Sequence, residues 1–218
     1  MRNEFGQSLA YTVNEIKHLM DFGPLAARRE KRAQYHLEQT EIGEFIVSGG
    51  AYLDLGCGKG YIRRRLEQLK PGVHVFGCDI ADRPTRRIRQ SSSATFATAD
   101  GLNLPFPDAT FDGVSLFFVL HHVPFEEQEN IVEESIRVVK DSGYIFVAED
   151  TVDPDDVKQM EITRRADRRF NPTFGLNRPN DYRSSEDWRT MFNRNNLTVI
   201  REKGYRTGNV PHTFFVLK

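Results

Sequence analysis

The chain has 218 residues, of which 39% are hydrophobic, and its formal net charge is −1. This length suits one sizeable hydrophobic core and is too short for two domains that each have a core of their own. The near-neutral charge creates no global field that would draw the chain to nucleic acid or to a membrane surface. No apolar run approaches the roughly 18 residues of a membrane-spanning helix, and the first residues lack a signal-peptide stretch. We therefore expect a cytoplasmic globular protein.

The first 50 residues carry two helical patterns. The first is an apolar stripe at helical spacing, formed by Leu9, Val13, Ile16 and Met20. A second helix is predicted from Leu25 to about Val47, before a pair of glycines ends it. We therefore divide the chain into an N-terminal helical cap, residues 1–50, and a main domain, residues 51–218.

A glycine turn follows the cap, in the segment YLDLGCGKG that ends at Gly60. A short apolar strand carries one acidic residue, Asp54, and glycines then occupy alternate positions at Gly56, Gly58 and Gly60 before an amphipathic helix begins. An α/β sheet uses strand, glycine turn and helix to present backbone N–H groups to a ligand at its carboxyl edge. Glycine is needed because the chain must turn tightly and let a ligand approach the backbone.

Two further strands follow, and each is associated with an acidic residue. Gly72–Ile80 is rich in β-branched and aromatic residues and carries Asp79 near its end. Asp79 lies about 20 residues beyond the glycine turn, where an α/β nucleotide site places a carboxylate that accepts both ribose hydroxyls. The alternative is that Asp79 caps the next helix. Ala94–Ala99 is predicted as the third strand, and Asp100 follows it.

The middle of the chain predicts a central strand, a helix and a fifth strand. Phe111–Leu120 is too apolar for a half-exposed strand, so we expect it to be covered on both faces. A helix is predicted over Phe125–Lys140, a turn over Asp141–Gly143 and a strand over Tyr144–Ala148.

The last third begins with a long connection. Residues 151–183 are polar and interrupted by prolines, which predicts a lid or a substrate loop. The serine pair at 184–185 can cap a following helix. Strands are predicted over Leu197–Arg201 and Thr213–Leu217, and the lack of a long helix between them favours an antiparallel hairpin. The alternation of strands and helices predicts an α/β fold with a mostly parallel sheet.

The glycine turn has the form D-x-G-x-G-x-G, whereas a dinucleotide fold prefers its third glycine one residue later, where Tyr61 stands. This motif resembles the first motif of the class I S-adenosylmethionine-dependent methyltransferases, and the segment LNLPFPDATFD resembles another element of that family. The resemblance covers roughly residues 50–218. It implies a Rossmann-like sheet of seven mostly parallel strands with an antiparallel last strand, helices on both faces, and S-adenosylmethionine as the cofactor.

The resemblance also implies a set of cofactor-binding residues. They are Asp54, Gly56, Cys57, Gly58, Gly60, Asp79, Ile80, Asp100, Gly101, Leu102 and Phe117. The glycines would shape the methionine pocket, with Asp54 beside the methionine amino group. Asp79 would hold the ribose and Ile80 would pack on the adenine ring. Asp100 would bind the adenine amino group, and Phe117 would lie near the donor sulfonium.

Methyl transfer from a sulfonium is an in-line displacement from an activated donor, so positioning and desolvation can supply much of the catalysis. A base is useful only when the accepting atom carries a proton. His121 and His122 are the candidate catalytic residues, because histidine titrates near neutral pH and His122 matches a histidine of the resembled family. The alternative is that His122 binds backbone at the helix entry.

Five carboxylates lie within eight residues at the end of the fifth strand, at Glu149, Asp150, Asp153, Asp155 and Asp156. They could hold a divalent cation through oxygen ligands or recognise a cationic substrate. The favoured alternative is a solvated loop with helix-capping aspartates, so no metal site is predicted. The two cysteines do not form a disulfide framework.

The acceptor is predicted to be a small molecule. The fourth strand runs into Phe117–Leu120, whereas nucleic-acid amino-methylating enzymes of the resembled family carry Asn/Asp-Pro-Pro-aromatic at that point. A nucleic-acid partner is therefore disfavoured. A protein or RNA methyltransferase and an inactive S-adenosylmethionine-binding protein are the alternatives, and the glycine spacing opposes a nicotinamide-dependent oxidoreductase. The oligomeric state is open, and a homodimer is one alternative.

Overall fold

The computed structural model describes residues 24–80, 96–170 and 181–218. The strands are β1 Ala51–Leu55, β2 His74–Asp79, β3 Phe96–Thr98, β4 Phe111–Phe117, β5 Val139–Asp150, β6 Val199–Thr207 and β7 Val210–Leu217. The α-helices are α1 Pro24–Thr40, α2 Tyr61–Glu67, α3 Phe125–Val138, α4 Val157–Phe170 and α5 Ser185–Arg194. Within these ranges, no helix is long and apolar enough to cross a membrane.

All seven strands form one sheet in the order β3-β2-β1-β4-β5-β7-β6. Strands β1 to β5 pair in parallel, and β7 runs antiparallel to both of its neighbours. The predicted Rossmann-like sheet with an antiparallel last strand is therefore confirmed. The strand order reverses between β1 and β4, and open α/β sheets bind ligands at the carboxyl ends of the strands at such a reversal.

Helices cover both faces of the sheet. Alternate strand residues point to opposite faces, and both faces carry apolar side chains that need to be buried. One hydrophobic cluster contains Leu53 of β1 and Phe215 of β7, packed with Trp188 of α5. The other contains their neighbours Tyr52 and Phe214, packed with Leu37 of α1. This arrangement explains why the strands read as nearly continuous apolar runs.

Several element boundaries differ from the prediction, among them those of β4, β5 and β6. β4 ends at Phe117 rather than Leu120, because Phe118 adopts a φ of 59° and Leu120–His122 form a single 3-10 turn. The turn predicted over Asp141–Gly143 is wrong, since β5 already begins at Val139 and absorbs these residues with a register shift in its pairing with β4. The sixth strand extends to Thr207, well beyond the predicted end.

The N-terminal and 151–183 regions are described in part. The helix predicted over Leu9–Met20 lies outside the described residues, and α1 ends at Thr40 rather than near Val47. Glu30 of α1 forms a salt bridge with Arg64 of α2, so this helix is tied to the main sheet. Within 151–183, the described residues include helix α4, which the polar sequence did not predict.

Candidate active site

The glycine turn after β1 is fixed to the end of β2. The N–H groups of Gly56 and Cys57 both donate to the carbonyl oxygen of Cys78, at 2.7 and 3.0 Å. Gly56 has a φ of +72°, and a Cβ atom there would lie 2.4 Å from a methyl group of Val119. Gly56 is therefore required both by its backbone conformation and by the close approach of the loop after β4.

Gly58 faces open space instead of packed side chains. Its φ is +51°, and a Cβ atom at this position would meet no atom within 4 Å. Its N–H donates to Oδ2 of Asp79 over 2.8 Å. This hydrogen bond joins the glycine turn to the carboxyl end of β2, and a carboxylate retains acceptor capacity for further donors.

A cavity of about 560 Å³ opens at this edge of the sheet, within the range of roughly 300–1,000 Å³ that is typical of ligand sites. The described residues that line it come from the carboxyl ends of β1 to β4 and from α3: Leu55, Gly56, Gly58, Asp79, Ile80, Ala99, Asp100, Gly101, Leu102, Phe118, Val119, His122, Val123, Glu127 and Ile131. The cavity thus brings together most of the residues expected at the cofactor site.

Five of the expected site residues are not among those that line the cavity: Asp54, Cys57, Gly60, Phe117 and His121. Gly60 instead begins α2 in a left-handed conformation with a φ of 70°. Cys57 is buried, and both cysteines are free thiols. Burial raises the pKa of Cys78 to about 12, so this thiol stays protonated at neutral pH.

Asp54 lies beneath the turn and is almost inaccessible, with 2% of its surface exposed. The Ser115 hydroxyl donates to its Oδ1 over 3.0 Å, whereas its Oδ2 has no hydrogen-bond partner among the described residues. Burial raises the pKa of Asp54 to about 7. Asp54 is therefore a buried carboxyl group that can titrate near neutral pH and that retains an unused oxygen.

Phe117 and Phe118 occupy different environments. Phe117 is buried in the core against Phe214. Phe118 lines the cavity, although we singled out only Phe117 from the sequence. The left-handed backbone of Phe118 redirects the chain where β4 ends. Such a conformation is unfavourable for a bulky residue and could not be anticipated from an apolar run.

Asp100 follows β3 and organises its own loop. Its Oδ1 accepts the N–H of Leu102 over 3.0 Å. Gly101 between them has a φ of +84°, and a Cβ atom there would lie 3.4 Å from Ile131 of α3. The loop therefore sits between the cavity and α3, with the Asp100 side chain exposed to solvent.

The two histidines lie side by side in the 3-10 turn after β4, but only His122 lines the cavity. His121 is buried, and its Nδ1 lies 2.5 Å from Oε2 of Glu149. The other oxygen of Glu149 accepts the N–H groups of Val119 and Leu120, at 2.9 and 2.7 Å. Burial alone would lower the pKa of His121, but the carboxylates of Glu149 and Asp167 raise it well above its ordinary value.

The five carboxylates at the end of the fifth strand do not converge on one site. Glu149 and Asp150 are buried, and Asp150 pairs with His212 at 2.7 Å. The other three are exposed, and two of them accept backbone N–H groups near the start of α4: Asp153 from Asp155 and Asp156 from Gln159. The expected solvated loop is therefore wrong for Glu149 and Asp150, whereas Asp156 accepts an N–H group in the first turn of α4, as a helix cap does.

A buried polar group of α1, β6 and β7 lies behind Phe118. The His36 ring contacts Phe118, its Nδ1 lies 3.0 Å from the Tyr205 hydroxyl, and its Nε2 accepts from Arg32. Burial lowers the pKa of His36 to about 2, so this imidazole stays neutral in the folded protein. No sequence pattern pointed to this group, because its members are far apart along the chain.

A family model described as a methyltransferase domain matches residues 53–147, the segment that holds the glycine turn, Asp79 and His122. This match shows a methyltransferase domain over residues 53–147, and it supports the resemblance to the class I S-adenosylmethionine-dependent methyltransferases. The methyltransferase domain supplies the described lining of the cavity, from Leu55 to Ile131.

Curated relatives match part of this chain. The demethylmenaquinone methyltransferase of Thermus thermophilus is 34% identical over 139 residues, which cover 62% of this chain and 59% of the relative. The tRNA (carboxymethyluridine(34)-5-O)-methyltransferase of Arabidopsis thaliana is 33% identical over 105 residues, which cover 48% of this chain and 25% of the relative. The matches thus span less than two thirds of the length of these relatives.

Solved structures support the same fold. The PH0226 protein of Pyrococcus horikoshii superposes with a TM-score of 0.64 and 23% identity, over 85% of this chain and 90% of that protein. At this identity, the likeness concerns the architecture of the methyltransferase and not its acceptor.

Proposed function

We propose that the protein transfers a methyl group from S-adenosylmethionine to a small-molecule acceptor. The observation that carries this proposal is the hydrogen bond from the Gly58 N–H to Asp79 at the wall of the 560 Å³ cavity. It places an open glycine turn beside a carboxylate, where backbone N–H groups and acceptor oxygens can bind a nucleoside with an amino-acid chain.

The residues around the cavity suit the parts of this cofactor. Asp79 accepts the ribose hydroxyls, and Ile80, which is 42% exposed, packs on the adenine ring. Asp100 lies on the same side, beside Leu102. The unpartnered Oδ2 of Asp54, beneath the turn, is available for the methionine ammonium group, which would favour the ionised form of the carboxyl.

We place the acceptor on the opposite side of the cavity, where Phe118, Val119, His122 and Val123 lie. These residues are apolar except for His122, so they suit a small apolar acceptor with one polar atom that receives the methyl group. The name of the Thermus relative gives demethylmenaquinone, a largely apolar small molecule, as its acceptor. Helix α1 contacts Phe118 through His36, and α4 approaches His122 through Asp167, so we expect these two helices to complete the acceptor side.

In the reaction, the acceptor atom attacks the methyl carbon and the bond from that carbon to the sulfonium breaks, which leaves S-adenosylhomocysteine. The protein's contribution is to align the two atoms and to exclude water from the nucleophile. His122 lines the cavity, so we propose that its imidazole, when it ligates no ion, accepts the proton of a hydroxyl or amine acceptor.

The test is the release of S-adenosylhomocysteine by the full chain when it is given a panel of quinols, phenols and tRNA. Cofactor-dependent methylation of a small molecule, abolished by Asp79→Ala and retained by the exposed-site control Asp141→Ala, supports the proposal. Methylation of tRNA alone would replace the small molecule with RNA. Cofactor binding with no turnover on any acceptor class would favour the inactive binding protein.

A further inference from the structure

Three side chains beside the cavity form a histidine cluster: His121, His122 and Asp167. One ligand atom from each lies within 4.8 Å of the others. Oδ1 of Asp167 is 3.9 Å from Nε2 of His121 and 3.6 Å from Nε2 of His122. We propose that this cluster binds a divalent transition-metal ion of the zinc, iron(II) and cobalt class.

The His121 ring has a buried nitrogen that a metal ion could bind. His121 is 2% exposed, and its Nε2 has no hydrogen-bond partner among the described residues. A buried polar atom without a partner costs free energy, so such an atom in a folded protein calls for an explanation. Because Nε2 faces Asp167 and His122, a cation shared with these side chains would satisfy this buried nitrogen.

Glu149 orients the His121 ring. The Nδ1 of His121 lies 2.5 Å from Oε2 of Glu149, and Oε1 of Glu149 is held by two backbone N–H groups. A carboxylate in this position accepts a hydrogen bond from the Nδ1–H group, which keeps the proton on Nδ1 and leaves the Nε2 lone pair available. This is the carboxylate–histidine–metal arrangement in which an outer carboxylate fixes the tautomer of a ligating histidine.

The ligands are held by ordered elements. The histidines belong to the 3-10 turn after β4, and Asp167 belongs to α4. Tyr182 stacks on His121 with a ring separation of 5.2 Å and an interplanar angle of 24°. A packed ring and a helical carboxylate restrict the positions that the ligand atoms can take.

The ligand set indicates the class of ion. Two imidazole nitrogens and one carboxylate oxygen suit zinc, iron(II) or cobalt better than magnesium or calcium, which prefer oxygen ligands. Three protein ligands leave a coordination position for water or a substrate oxygen. Because His122 lines the cavity, an ion in the cluster would lie next to the proposed acceptor region.

A proton is the competing occupant. Glu149, Asp150 and Asp167 surround the His121 ring with negative charge, which favours a cation at Nε2 whether it is a proton or a metal ion. A metal site and a protonated ion-pair network both place positive charge at Nε2, but they predict different responses to added metal. Metal titration separates them, and its outcome does not depend on the proposed methyl transfer.

The experiment uses the full chain after treatment with a chelator and dialysis. Zn²⁺ is titrated by calorimetry, and Co²⁺ is titrated by its visible ligand-field absorption. We expect one saturable equivalent per chain and a cobalt band that Zn²⁺ displaces. Absence of stoichiometric binding to the folded wild-type chain would overturn the proposal and leave the protonated network.

Matched variants locate the site. His122→Gln and Asp167→Asn should abolish the cobalt band, whereas the exposed His74→Gln and Asp153→Asn should retain it. Equal binding by all four variants would place the metal elsewhere and overturn the proposal. Circular dichroism and binding of S-adenosylhomocysteine report folding separately, and the near-isosteric Asp167→Asn decides the question if His122→Gln fails to fold.

Glu149→Gln tests the role of the second carboxylate. Its amide oxygen can still accept the backbone N–H groups, but its NH₂ group would then face Nδ1 of His121 and move the ring proton to Nε2. We expect metal affinity to fall about 10–100-fold, as for other outer-shell partners. Unchanged metal affinity in this variant would contradict the assigned tautomer.

Discussion

The glycine half and the histidine half of the cavity are built in different ways. The glycine half comprises the turn after β1 and the carboxyl ends of β2 and β3, and it offers backbone N–H groups and partly accessible carboxylates such as Asp100. The histidine half comprises the 3-10 turn after β4. The end of β5 and α4 lie behind this turn and contribute the buried carboxylates Glu149 and Asp167. In the proposed reaction, the glycine half binds the cofactor through the conformation of its backbone. The histidine half acts on the acceptor through side chains that are oriented and buried.

The two halves also differ in how deeply their charged groups are buried. In the histidine half, His121 and Glu149 are 2% and 0% exposed and are paired with each other. A buried ion pair is costly to assemble and is weak evidence for a purely stabilising role. Its retention beside a ligand cavity is consistent with a functional role, which the metal titration examines.

The largest expected effect is on the packing of the glycine half. Gly56→Ala adds a Cβ atom 2.4 Å from Val119 at a φ of +72°. We expect the free energy of unfolding to fall by about 2–5 kcal/mol, from the strained backbone and the overpacking together. Urea unfolding monitored by circular dichroism measures this loss.

The matched control for Gly56→Ala is Gly208→Ala. Gly208 has a φ of +59°, and a Cβ atom there would have no neighbour within 4 Å. Alanine at this position would therefore strain the backbone without overpacking any neighbour. We expect a loss of about 1–2 kcal/mol. Equal losses at the two positions would show that the contact of Gly56 with the loop after β4 does not matter.

The next effect is on cofactor affinity. Asp79→Ala removes the acceptor that Gly58 contacts at 2.8 Å and leaves the ribose hydroxyls without a partner. Affinity for S-adenosylhomocysteine should fall by about 1–3 kcal/mol, measured by calorimetric titration. The exposed Asp141→Ala serves as the control, and unchanged affinity in a folded Asp79→Ala protein would remove Asp79 from the ribose role.

A smaller effect concerns the pH dependence of stability. Burial raises the pKa of Asp54 to about 7 in the native state, whereas the pKa of an aspartate in the unfolded state is about 4. The native state therefore holds the proton more tightly, and the resulting stabilisation is present below about pH 4 and is lost as the pH rises towards 7.

Asp54→Asn should remove this dependence. The difference in unfolding free energy between the variant and the wild type should shift in favour of the variant by at most about 1.4 kcal/mol per pH unit between pH 4 and 7. Urea unfolding at several pH values measures it. A difference that stays constant with pH would contradict the buried, protonated state.

The glycine half could be predicted from sequence because its parts are local. The turn and its helix are contiguous, Asp79 follows at a characteristic distance, and the serine cap of α5 is a short-range pattern that the structure confirms. The alternating elements also predicted a mostly parallel sheet, and the family resemblance implied its seven strands with an antiparallel last strand, whereas the strand order came from the structure. Local backbone geometry limited the prediction at β4, where the left-handed Phe118 replaced Phe117 at the cavity.

The histidine half could not be predicted because tertiary contacts assemble it. Asp167 lies in a helix of a segment predicted to be a loop, and Tyr182 reaches His121 from beyond that helix. Glu149 was noted only as one of five neighbouring carboxylates, and its burial against His121 depends on the pairing of β5 with β4. Sequence spacing carries no information about such contacts.

The most direct test of the account is calorimetric titration of the ligand-free full chain with S-adenosylmethionine, S-adenosylhomocysteine and NADH. The account predicts that both adenosyl ligands bind with dissociation constants on the order of micromolar and that NADH does not bind. A folded, ligand-free protein that binds neither adenosyl ligand, or that binds NADH instead, would contradict the cofactor assignment and with it the proposed methyl transfer.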